Sequence, residues 1–218
     1  MGFGKKSEGS VVIQAPNFRL VKIQIEGTAN YVSNAFAEEA KNMMAEDQKK
    51  GSVDKKRGAK KEPKDFQKGY EGSMHRSVDG WHGIPCVAFR AAMVRAASLV
   101  GVEMTRAKMC VFVMADGVDS QGQALVKITK GKPERFDAYV RNSNGSADIR
   151  ARARFAPGWQ ATVTIRYDAD FLSDASVVNL LHRAGLQVGV GAGRPFSEKS
   201  TGQGWGTFQL VEEKGAAE

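Results

Sequence analysis

At 218 residues, 42% hydrophobic and 26% charged, the chain is long enough for one sizeable core, and one domain carrying an insertion is the simplest organisation. Its 32 basic and 24 acidic residues give a net charge of +8, which favours polyanions such as nucleic acid, phosphates or acidic lipid, or else a solvated basic surface. No window approaches the roughly 18 apolar residues of a membrane span and no signal-peptide core follows Met1, so a soluble cytoplasmic protein without membrane attachment is expected.

The first element in chain order is "RLVKIQIEG" (19–27), whose apolar and polar residues alternate as in a half-buried strand closed by Gly27. "SNAFAEEAKNMMAEDQKK" (33–50) predicts a helix capped by Ser33, with Ala37, Ala40, Met43 and Met44 at helical spacing. Ten basic residues then face five acidic ones between Lys41 and Lys68. With almost no large apolar side chain over 49–65, this stretch reads as a mobile basic insertion, placed at 49–80. Lys55, Lys56, Arg57, Lys60 and Lys61 are its candidate phosphate contacts; a solvated loop is the plainer alternative.

"DGWHGIPCVAFRAAMVRAASLVG" (79–101) predicts a second helix, with Pro85 in its first turn and Gly101 as its stop. Val87, Ala88, Ala91, Ala92, Met93 and Ala96 form the expected buried face, with Arg90 and Arg95 off it. Cys86 and Cys110 sit in apolar runs and read as small buried hydrophobes, too few for a zinc site.

The runs "MCVFVMA", "ALVKI" and "RFDAYVRN" predict short strands. "DIRARARF" (148–155) alternates strictly, with Ile149, Ala151, Ala153 and Phe155 on one face and Arg150, Arg152 and Arg154 on the other. "WQATVTIRYD" is expected to pair with it across the "APG" turn at 156–158. A third helix is predicted at 173–185, capped by Ser173 or Asp174 and stopped by Gly185, and a last strand at 205–213. Strands interleaved with two packed helices point to an α+β sandwich of the ferredoxin-like or RRM-like type, an antiparallel sheet with two main helices.

The glycine-rich loop before the last strand holds Gly189, Gly191, Gly193, Gly202, Gly204 and Gly206, with Arg194 and Lys199 among them. Glycine there either lets backbone N–H groups approach phosphates or makes a tight connection over the sheet. Alternate strand residues lie about 6 to 7 Å apart, so Arg150, Arg152 and Arg154 would form a cationic track. Arg141 would extend it, and Tyr139, Trp159, Tyr167 and Trp205 are candidate stacking rings or core residues.

Enzyme motifs are missing. There is no phosphate-binding G-x-x-x-x-G-K-[ST], no H-E-x-x-H and no nucleophile elbow. Asp116 and Asp119 lack calcium-loop spacing, and "GVGAGR" follows a helix where a dinucleotide fingerprint would follow a strand. His75, His82 and His182 read as structural or solvent-exposed. No catalytic residue, metal or cofactor is expected.

Three stretches carry a resemblance. "GIPCVAFRAAMVRAASLVG" and "GVGAGRPFSEKSTGQGWGTF" resemble the helix entry and the C-terminal glycine-rich loop of the RAMP superfamily, the RRM-like CRISPR subunits. Together with "VRNSNGSADIRARARFAPGWQATVTIRY" they are similar to a group of bacteriophage proteins over most of residues 18–211. The resemblance implies a nucleic-acid-binding fold and head-to-tail oligomers. The expected function is binding of single-stranded nucleic acid without strong sequence preference, with DNA favoured over RNA by the phage context. A protein-interaction factor or CRISPR-subunit mimic is the alternative, and a metal-independent nuclease a third.

Overall fold

Ten residues of alternating polarity, Phe18–Gly27, form strand β1, which runs antiparallel to β9 (Gln160–Asp168) from Phe18 opposite Asp168 to Glu26 opposite Gln160. Between them in the chain lie β2 (Tyr31–Val32), helix α1 (Phe66–Gly72), β3 (Gly83–Pro85), α2 (Cys86–Leu99) and α3 (Met104–Cys110). Then come β4 (Val111–Met114), β5 (Gly117–Val118), β6 (Ala124–Lys130), β7 (Pro133–Arg141) and β8 (Ala147–Phe155). After β9 follow α4 (Asp174–Arg183), a π-helical turn (Ala184–Val188) and β10 (Phe208–Leu210). This computed structural model describes residues 13–35, 65–141, 147–196 and 202–211. The helix expected at 33–50 falls beyond residue 35, outside the described residues, as does the 49–64 part of the expected insertion. The remainder of that insertion, 65–80, carries α1, whose Asp65 side chain accepts from the Lys68 N–H as its cap.

The fold is mixed α+β. In the main sheet β10, β1, β9, β6 and β3 lie side by side, and every pairing is antiparallel. β4 shares the outer edge of β9 with β6, taking Thr164 to Tyr167. Odd-numbered residues of β1 and β9 (Ile23, Ile25, Ala161, Val163, Ile165, Tyr167) point to the core, where they meet Phe89, Met93 and Ala96 of α2 and Val177, Leu180 and Leu181 of α4. Even-numbered residues such as Lys22, Gln24, Thr162 and Arg166 form the opposite, open face. One period-two pattern thereby gives the sheet a dry side and a wet side.

A second sheet, β2-β8-β7, is built on the β7/β8 hairpin. This corrects the expected pairing of β8 with β9. Across residues 156–158 the chain changes sheets instead of turning back: Gly158 N–H donates to Gly27 O at 2.8 Å and Gly27 N–H to Trp159 O at 2.7 Å. Trp159 is thereby driven into the core, where its ring meets Tyr31 at 5.7 Å and Phe208 at 6.2 Å, and Nε1 donates to Ala29 O at 3.0 Å. Burial of an indole outweighs a hairpin that would leave it at a solvent-exposed turn.

Other boundaries shift for local reasons. Helix α2 starts at Cys86, after a Pro85 still extended at ψ 131. Its buried side chains are Cys86, Phe89, Ala92, Met93, Val94, Ala96 and Ala97, so Val87 and Ala91 face outwards. The large Phe89 and Met93 set the orientation, not the more numerous alanines. The expected strand at 109–115 begins only at Val111, because Met104–Cys110 is helical. Ser173 caps α4 as predicted, accepting from Ser176 N–H.

His82 lies near-perpendicular to the Phe155 ring at 5.9 Å. Burial, and then the Arg76 charge, lower its pKa. The folded protein disfavours the imidazolium, while the unfolded chain takes up the proton near about 6.5. Stability from this group is therefore complete above that value and lost as pH falls below it. A melting series between about pH 8 and 5 should fall less steeply in His82→Gln than in the native protein; equal slopes would remove His82 as a contributor.

Candidate nucleic-acid interface

Arg150, Arg152 and Arg154 lie on one face of β8, as the alternation predicts, while Ala151, Ala153 and Phe155 of the other face are buried. The register with β7 puts Ala138, Phe136 and Glu134 directly opposite the three arginines. Arg154 pairs with Glu134 at 3.1 Å and lies 5.1 Å from the Phe136 ring centre. Arg150 approaches Asp148 at 3.4 Å. Arg152, half-buried between them, has no hydrogen-bond or ion-pair partner among the described residues. Burial, and then the Arg150 charge, lower its pKa. A guanidinium with neither full hydration nor a carboxylate is a position that gains from an incoming anion.

Helix α1 covers the other face of this hairpin. Ser73, at its C-terminal end, accepts from Ala153 N–H at 2.8 Å, and Tyr70 OH donates to Pro133 O at 3.2 Å. On the arginine face, Trp205 of the glycine-rich loop meets Phe136 at 5.4 Å, edge to face. Arg141 stands at the end of β7 opposite Ala147; its side chain lies outside the described residues. Lys55, Lys56, Arg57, Lys60, Lys61 and Lys199 also lie outside them.

All six glycines of the loop have positive φ, between 64° and 80°. Much of the loop's hydrogen bonding turns inwards: Ala192 N–H donates to Val32 O at 3.0 Å, Gly206 N–H to Asn30 O at 2.7 Å and Val190 N–H to Gly206 O at 2.9 Å. These groups close the loop onto the strand β2 region. Arg194 braces it, donating to Gly191 O at 3.0 Å and Phe196 O at 3.1 Å, and points into a groove beside α2, not along the β8 track.

Of the candidate stacking rings, Trp159 and Tyr167 are buried in the core, and the Tyr167 hydroxyl bonds Asp174. Tyr139 is 58% exposed and Trp205 is half-buried against Phe136. The sequence reading missed Phe136, which joins the arginine face only through its cross-strand register. It also missed the open-face cluster in which the Arg166 guanidinium sits 4.9 Å from the Phe18 ring and 5.0 Å from Phe112. Both rings lie in apolar or alternating runs, with nothing in spacing to bring them together.

Cys86 and Cys110 are free and buried; burial, then Asp116, pushes the Cys86 thiol up to about 11, and burial also raises Cys110. No group of three or more His, Cys, Asp or Glu among the described residues is arranged to hold a metal ion. No helix among them is long and apolar enough to cross a membrane. No family model matches the chain, and no curated protein matches it.

Proposed function

We propose that this protein binds single-stranded nucleic acid through the arginine face of β8, without strong sequence preference, with DNA favoured, and assembles along the strand. The observation that carries the reading is Arg152, a half-buried guanidinium without a carboxylate, flanked by Arg150 and Arg154 on a face where Phe136 and Trp205 supply rings. Phosphates pair with the guanidiniums while bases find aromatic edges nearby. The main sheet, beside which the β8 sheet lies, supports an RRM-like reading of the fold. β1, α2, β4, β9, α4 and β10 occur in the chain order strand-helix-strand-strand-helix-strand, and β10-β1-β9-β4 are neighbours in space.

Fluorescence anisotropy of a labelled single-stranded oligonucleotide at several salt concentrations tests it. Affinity should fall with salt with a log–log slope of about −0.7 for each phosphate neutralised. Replacing Arg150, Arg152 and Arg154 together with Gln should make that slope about 2 units shallower, with melting little changed, because such partly exposed pairs contribute little to folding. A flat salt response in the native protein, or no binding at low salt, refutes the reading.

A further inference from the structure

The outward face of α2 and the glycine-rich loop enclose a groove of about 640 Å³, apart from the β8 track. Its floor is Val87, Ala88, Ala91 and Ala92, and Val188 and Phe196 form the opposite wall. A second hollow of about 300 Å³ shares Val87, Ala91 and Met104 with the first and continues to Val94. The two make one apolar channel along the helix, with Val87 62% exposed. The charges along it have one sign. Arg95 and Arg194 line the larger hollow, Arg90 and Lys108 the smaller, and no carboxylate lines either among the described residues.

We propose that this groove receives an amphipathic helix of a protein partner, with an apolar stripe flanked by acidic residues. Val87 and Ala91 stand one helical turn apart on the outward face of α2, with the exposed Met104 beside them, an i, i+4 ridge against which a second helix docks. Alanines at 88, 91 and 92 leave room for its backbone to come close. The cations are already held in place: Arg95 stacks over Phe196 at 3.9 Å, Arg194 is braced by two loop carbonyls, and Arg90 donates to Val111 O at 2.9 Å and also to Lys108 O. Side chains fixed beforehand lose little entropy when a carboxylate arrives. Nucleic acid suits the groove less well, because its floor is aliphatic and the Phe196 ring in its wall is already covered by Arg95.

The test uses the full chain and two labelled peptides of about four helical turns. Both carry Leu at i, i+4 and i+7; one is flanked by Glu and the other by Lys. The Glu peptide should bind and the Lys peptide should not. Val87→Asp and Ala91→Glu should each weaken the Glu peptide by about tenfold or more, with melting unchanged because both positions face outwards. Val87→Leu should retain binding. The triple Gln variant of β8 should bind the Glu peptide normally, so failure of the nucleic-acid reading would leave this one standing. Equal affinity for the two peptides, binding of neither, or displacement of the Glu peptide by an unlabelled oligonucleotide would overturn the proposal, the last by assigning the groove to nucleic acid.

Discussion

Gly206→Ala should destabilise the protein by about 3 kcal/mol or more, a fall in melting temperature of about 10 °C for a chain of this size. Two effects add. Gly206 has φ 70°, where a Cβ costs about 1 to 2 kcal/mol by itself. That Cβ would also lie inside the van der Waals shell of the Val190 carbonyl oxygen, and Val190 and Gly206 are held together by a 2.9 Å hydrogen bond. Neither side is a flexible side-chain end that could swing away. Gly204→Ala is the matched control: φ is 75°, but nothing lies within 4 Å of the added carbon. It should show the conformational cost alone. Equal losses in the two variants would mean that close approach at Gly206 contributes nothing.

The comparison bears on what the loop is for. At Gly191 a Cβ would come within 2.7 Å of both the Tyr31 ring and Val32 O. Glycine at 191 and 206 thus serves contact between the loop and its own protein. The loop's functional part in this reading is its side chains, Trp205 on the arginine face and Arg194 in the groove.

Periodicity made much of this legible. Strict alternation placed Arg150, Arg152 and Arg154 together and buried Ala151 and Ala153, because a strand has only two faces. It could not say which strand lies alongside. A short "APG" turn favours a hairpin locally, whereas β9 gains nine paired residues with β1 and a buried Trp159 by leaving β8. Such a choice depends on contacts distant in sequence. Helix α3 was hidden for a related reason: its seven residues run directly into the apolar "VFVM", so no stop signal separates them. In the site, the arginines could be read off, but Glu134 and Phe136 required the hairpin register. The structural bond of Arg194 to its own loop had no signal in composition, since a loop arginine looks the same whether it faces a ligand or a carbonyl.

Trp159→Ala should be comparably damaging, by about 4 kcal/mol, the scale of removing a large aromatic side chain from a core. The indole is fully buried and its ring is in contact with both Tyr31, which follows β1, and Phe208 in β10. Phe155, from the second sheet, reaches the same cluster through Tyr31 at 5.7 Å. Removal of Trp159 therefore loosens the junction between the two sheets as well as leaving a cavity, and it deprives Ala29 O of the Nε1 donor. Trp159→Phe should fall between, keeping most of the ring packing and losing the hydrogen bond, for about 1 to 2 kcal/mol. Tyr139→Ala, at a position 58% exposed, should change stability by less than about 0.5 kcal/mol. Thermal melting of the three variants ranks them, and oligonucleotide binding measured beside it separates core from interface. A Trp159→Ala protein that melts like the native one but loses oligonucleotide binding would put the indole at the nucleic acid, whereas loss of melting stability in step with the missing ring area places it in the wall between the sheets.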